Sequence, residues 1–221
     1  MTVLSERALD AGLDAAAARR AMIDSQLRPS GVNHPRVLAA MAATPREAFV
    51  PAERRAVAYA DRAVPLGSGR VLAPPLTHGL MLAEAMPTEQ DKALIVGGGS
   101  GYLAALVAPL VGTLHVVESE TGFDAIGAPR AGTWVAGPLG QGCKKAAPYS
   151  LILIDGAIEV LPDALGKQLA DDGRLVTGLI ERGVTRLTVG RKAAGSVGFL
   201  TLGEADFAPL PGFARPRRWS F

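Results

Sequence analysis

Five consecutive residues, Gly97-Gly98-Gly99-Ser100-Gly101, constrain this chain more than any others. They follow Ala93-Leu94-Ile95-Val96, a short apolar run bounded by Lys92 and Gly97, the pattern of a strand buried on both faces. They precede Tyr102 to Leu110, which reads as a helix. Glycines are needed at such a junction because the chain turns tightly and a ligand can touch bare backbone. The helix start beyond offers unpaired amides to an anionic group. A second apolar run, Leu114 to Val117, ends at Glu118. An acid there, about twenty residues after the first glycine, is placed to receive the two hydroxyls of a ribose. The competing reading is a plain glycine turn followed by a solvated glutamate.

Further apolar runs at Leu151 to Ile154 and Arg174 to Thr177, with a helical pattern at Leu161 to Leu169 between them, extend the alternation. Strands alternating with helices predict βαβ units and a mostly parallel, doubly wound α/β sheet. Thr185 to Val189 and Phe199 to Leu202 have no helix between them and read as a hairpin-like pair. The N-terminal part differs. Ala15 to Leu27 is free of Gly and Pro and stops at Arg28-Pro29-Ser30-Gly31; shorter helical patterns follow around Val37 to Met41, Thr44 to Phe49 and Ala52 to Ala60. Val64 to Pro75 is expected to be mostly loop, and Thr77 to Ala85 a helix stopped by Pro87. The chain therefore divides into a helical leader with a loop (1–90) and an α/β core (91–221), together one domain-sized unit.

Hydrophobic residues make up 48% of the 221, enough for a core, and the formal net charge of +2 gives no electrostatic footprint for nucleic acid or a membrane surface. No apolar run is long enough to span a bilayer, and Glu6, Asp10 and Asp14 interrupt the N-terminus as they would not in a signal peptide. A lone cysteine, Cys143, permits no internal disulfide and fits a reducing cytoplasm. His34 and His115 have no companions at ligand spacing, so no metal is expected. The oligomeric state is left open.

A dinucleotide fingerprint places its last glycine where this chain has Tyr102, and no phosphate-loop Lys-Ser/Thr pair follows Gly101. The Gly-x-Gly-x-Gly spacing favours S-adenosylmethionine (SAM), which has no pyrophosphate to seat, over NAD. Cofactor contacts are expected from Gly97, Gly98, Gly99, Ser100, Gly101 and Glu118. Asp155 joins them because it ends the strand beside the glycine loop, on the methionine side; its alternative role is to cap a turn before the Pro162 helix.

The sequence resembles the protein-L-isoaspartate O-methyltransferases over most of its length. The resemblance is carried by Met22-Ile23-Asp24-Ser25-Gln26-Leu27, Arg36 to Met41, Pro45 to Pro51, Ala58-Tyr59-Ala60-Asp61, Val64-Pro65-Leu66-Gly67, the loop to Tyr102 and Gly173-Arg174-Leu175-Val176. It implies a Rossmann-like SAM-dependent methyltransferase whose leader shapes a substrate cleft, with Leu72, Ala73, Pro74 and His78 at that cleft. It also implies methyl transfer to the carboxylate of isoaspartyl residues in damaged peptides or proteins. Such a carboxylate is already a nucleophile at neutral pH, so no general base is demanded. This chain departs from the family at Ala73, where a serine stands, at Gly137-Pro138 in place of Gly-Asp, in a shorter segment from Glu118 to Gly137, and at the acid Asp155. A different acceptor, or a non-catalytic SAM-binding role, stays open on those grounds. His78 is a candidate carboxylate ligand, with simple exposure as its alternative, and Arg215, Arg217 and Arg218 read as a solvated tail.

Overall fold

The structure is a computed structural model describing residues 14–119 and 122–215. Most of the N-terminal segment discussed above, with Arg217 and Arg218, lies outside those residues.

The leader opens with helix α1 (14–22), which loosens into a π-helical turn over Ile23–Leu27. Helix α2 (Pro35–Ala43) starts on a proline, where the missing amide costs nothing. The next two expected helices are 3-10 turns, Arg46–Phe49 and Ala52–Val57. Val64 to Pro75 differs from the loop expected of it. It holds an antiparallel hairpin, β1 (Val64–Gly67) and β2 (Arg70–Leu72), with Val64 opposite Leu72. The residues read as breakers are the turn itself: Gly67, Ser68 and Gly69 all take positive φ, at 101°, 49° and 71°. Helix α3 (Pro75–Ala85) follows and ends on a left-handed Met86.

The core then runs β3 (Lys92–Val96), α4 (Tyr102–Val107), β4 (Thr113–Glu118), β5 (Thr133–Ala136), β6 (Tyr149–Ile158), α5 (Asp163–Gln168), β7 (Leu169–Glu181), β8 (Val184–Ala193) and β9 (Ser196–Glu204). The seven-stranded sheet has the order β5-β4-β3-β6-β7-β8-β9. Pairing is parallel from β5 to β7 and antiparallel through β8 and β9, so the tail pair forms the hairpin its sequence implies. No full helix occupies the described part of the segment between β4 and β5, only a 3-10 turn at Gly122–Ile126.

Val96 pairs with Val117 on one side and Ile154 on the other. The chain thus leaves β3 and β6 in opposite directions, and a crevice opens at their carboxyl ends. The leader is fastened over that crevice. Met22, Leu27, Met41 and Phe49 share one buried cluster with Tyr102, Leu103 and Val176. Phe49 meets the Tyr102 ring edge-on at 5.5 Å, a pair worth roughly 0.5–1.5 kcal/mol beyond its buried area.

Candidate functional site

The glycine loop lies at the carboxyl end of β3. Gly97, Gly99 and Gly101 adopt φ of 85°, 52° and 97°, a region open to glycine and strained for other residues. Gly98 is required for a different reason. A Cβ there would stand 2.4 Å from Val116 Cγ1 and 2.7 Å from the Trp134 ring, so the indole of β5 packs against bare backbone. A Cβ on Gly99 would make ordinary contacts, with Leu66 at 3.6 Å and the Gly97 carbonyl at 4.0 Å. Ser100 Oγ is buried and has no hydrogen-bond partner among the described residues. An unpaired hydroxyl in a loop of left-handed glycines suits a ligand that brings polar atoms of its own.

Glu118 ends β4 with 5% of its surface exposed. Its Oε2 accepts the Gly99 amide at 2.7 Å, and Oε1 accepts the Ser119 amide at 2.8 Å. Oε1 also receives Arg70 Nη1 at 3.0 Å, from an arginine only 6% exposed. The guanidinium lies 5.6 Å from the centre of the Phe123 ring. Nothing in the sequence signals this arginine; only the hairpin, which the sequence does not disclose, carries it across 48 residues to Glu118.

Of the residues expected at the substrate cleft, Leu72 is buried in the core cluster, Ala73 lines the crevice and Pro74 precedes the first turn of α3. The Ala73 carbonyl accepts Nη2 of Arg46 at 2.5 Å, and Arg46 Nε donates to the Ala58 carbonyl at 2.6 Å. Arg46 is fully buried, 4.8 Å above the Tyr102 ring centre. Burial lowers its pKa and raises that of the Tyr102 phenol, since each would have to carry its charge away from water. Arg46 joins substrate loop, leader and α4, a role its place in a short polar turn does not announce.

His78 is not exposed. It is 0% accessible, and its Nε2 lies 3.0 Å from Asp155 Oδ1. Asp155 does not end its strand as expected: it lies within β6, which runs on to Ile158, so there is no turn at this point for it to cap, and it faces the crevice beside Ala73. The acid and the imidazole, both singled out in the sequence for separate reasons, are partners. Gly137, where the adenine-side acid is missing, donates its amide to the Glu118 carbonyl. In the described part of the shortened segment, Trp134 packs against the backbone of Gly98 and Gly101. Among the described residues no three His, Cys, Asp or Glu side chains are placed to hold a metal ion, and no helix is long and apolar enough to cross a membrane.

The family model of protein-L-isoaspartate(D-aspartate) O-methyltransferase matches residues 17–124 and 133–213. The chain belongs to this family. Among its curated relatives, the protein-L-isoaspartate O-methyltransferase of Roseiflexus castenholzii is 36% identical over 201 residues, covering 88% of this chain and 92% of its own. That of Koribacter versatilis is 35% identical over 201 residues, covering 88% and 90%. A Plasmodium falciparum structure assigned to the same enzyme class and solved with S-adenosyl-L-homocysteine superposes with a TM-score of 0.72 at 17% identity, over 88% of this chain and 97% of that one. The sheet, its switch point and the glycine loop are accordingly a Rossmann-like methyltransferase fold. Ala73 and Asp155, both singled out in the sequence, line one crevice.

Proposed function

We propose that this chain is a SAM-dependent methyltransferase that esterifies the carboxylate of isoaspartyl residues in damaged proteins, a repair activity of the cytoplasm. The observation that carries this reading is the contact between Gly99 and Glu118, which sets the acid at the lip of the glycine loop. When bound, SAM supplies an electrophilic methyl group on a sulfonium. The loop offers it bare backbone at Gly97 and Gly99 and the unpaired Ser100 hydroxyl. Glu118 is the acceptor for ribose hydroxyls, and Asp155 lies across the crevice on the β6 side. Leader and core act as one unit, supported by the cluster that joins them. An acceptor carboxylate needs no base, so these residues position the reactants and exclude water.

A second reading, a different acceptor on the same cofactor, is favoured by the Asp155–His78 pair. A carboxylate lining the crevice beside Ala73 repels an incoming carboxylate and attracts an acceptor that is cationic or donates a hydrogen bond, while the buried imidazole holds that carboxylate in place. The deciding experiment incubates the protein with labelled SAM and an isoaspartyl peptide, beside its normal aspartyl counterpart. Base-labile label on the isoaspartyl peptide alone is expected, and Ala73→Ser is expected to raise it. SAM binding without any label transfer would shift the assignment to the second reading; no binding would end both.

A further inference from the structure

We infer, on the strength of the cofactor reading above, that Arg70 is a latch on the cofactor cleft and competes with the nucleoside for Glu118. All five residues of the glycine loop are buried, and they are buried by side chains of this chain. A Cβ on Gly97 would lie 3.2 Å from Arg70 Nη2 and 3.1 Å from a Leu210 methyl, so guanidinium and leucine stand directly over the first glycine. The space left between Gly69, Arg70, Ala73, Asp155 and Leu210 is about 10 Å³. That is near the least that holds one water, against roughly 300–1,000 Å³ for a ligand pocket.

Among the described residues, Glu118 accepts from the Gly99 amide, from the amide and hydroxyl of Ser119 and from Arg70. The two amides belong to the loop and strand end and cannot leave without remaking the fold. Arg70 is a side chain on the two-stranded hairpin, which takes no part in the seven-stranded sheet. As a side chain on that hairpin it can swing away and surrender the carboxylate to a diol. While it stays, the binding-competent fraction is small, and apparent affinity falls in proportion to that fraction. Arg70 also lies close before Ala73 in the same hairpin and loop, so release of the latch moves the chain that faces the acceptor.

The test is calorimetric titration of S-adenosyl-L-homocysteine into the wild type and into Arg70→Gln and Arg70→Met, with circular dichroism to establish that each variant is folded. Both variants are expected to bind at least tenfold more tightly. Affinity equal to or weaker than that of a binding wild type overturns the latch and leaves the cofactor reading standing. Absence of binding by wild type and variants together overturns both. If neither uncharged variant folds, Arg70→Lys decides the matter, since it keeps the charge but loses the planar fork. It too is expected to bind more tightly than wild type, and an unchanged affinity counts against the latch.

Discussion

Replacing Arg46 by methionine tests whether a buried cation holds the cleft together. The side chain is fully enclosed, so its charge has been taken out of water at a cost of several kcal/mol. Against that stand two hydrogen bonds from a charged donor, to the Ala58 and Ala73 carbonyls, worth about 1.5–3 kcal/mol each. The desolvated stack on Tyr102 adds about 2 kcal/mol. Methionine fills most of the volume and recovers the desolvation cost, but it leaves two carbonyls without their donor, at roughly 1–3 kcal/mol apiece. The orphaned carbonyls decide the sign. Arg46→Met should destabilise the fold by about 2–4 kcal/mol, read as a lower urea midpoint at unchanged slope. Because one of those carbonyls belongs to Ala73, methyl transfer should fall further than the unfolded fraction explains. A loss below about 0.5 kcal/mol would mean that desolvating the guanidinium cancels everything its bonds return, and the reasoning would fail.

Gly98→Ala puts a methyl against Val116 and Trp134 and should cost at least about 2 kcal/mol in thermal unfolding, as overpacking does. Gly99→Ala, which makes ordinary contacts but must hold a left-handed φ, should cost nearer 1 kcal/mol; the reverse order would show that backbone strain outweighs the clash. A double-mutant cycle with His78→Gln and Asp155→Asn should give a coupling of about 1.5–3 kcal/mol in urea unfolding, the worth of a hydrogen bond to a charged group. A coupling near zero would mean that the two side chains are neighbours without being partners. Asp91 tests the opposite end of the sheet. Burial would raise its pKa, but Arg174, Ser150 and the Thr88 amide hold it down at about 2. A depressed acid contributes stability above its unfolded value near 4 that is lost as pH falls toward 2, roughly 2 kcal/mol here. Asp91→Asn should flatten the acid limb of a stability–pH curve over that interval, and an unchanged limb would assign the acid sensitivity elsewhere.

The sheet was legible because its strands are apolar runs separated by helix-period segments, and a parallel strand buried on both faces has no other economical sequence. Edge strand β5 was less so. Half-exposed Thr133 to Ala136 makes no continuous apolar run, and Gly132 and Gly137 on either side read as loop. The β1–β2 hairpin was missed because Pro65, Gly67 and Gly69 are breakers in a long strand but turn-formers in a ribbon of three or four residues. The glycine loop and Glu118 were found because backbone requirements leave a local signature. Arg46 and Arg70 leave none: an arginine in a polar stretch looks solvated, and only the tertiary fold decides that it is enclosed.

His78 and Asp155 carry the last step. Read singly, a histidine on the first turn of a helix is most simply exposed, and an acid after a strand is most simply a turn cap. Each reading is reasonable for an isolated residue, and both fail for one reason. The first turn of α3 brings His78 to 3.0 Å from Asp155 in β6, and a lone acid or imidazole there would be desolvated without compensation. Each makes the other tolerable, so the two departures from simple expectation are one feature. That feature lies beside Ala73. An acid beside Ala73 sets the charge that a ligand meets at that crevice, and the buried imidazole behind it fixes where the acid stands. The hairpin loop, α3 and β6 therefore set the polarity of that crevice jointly, and none of the three segments discloses it when read alone.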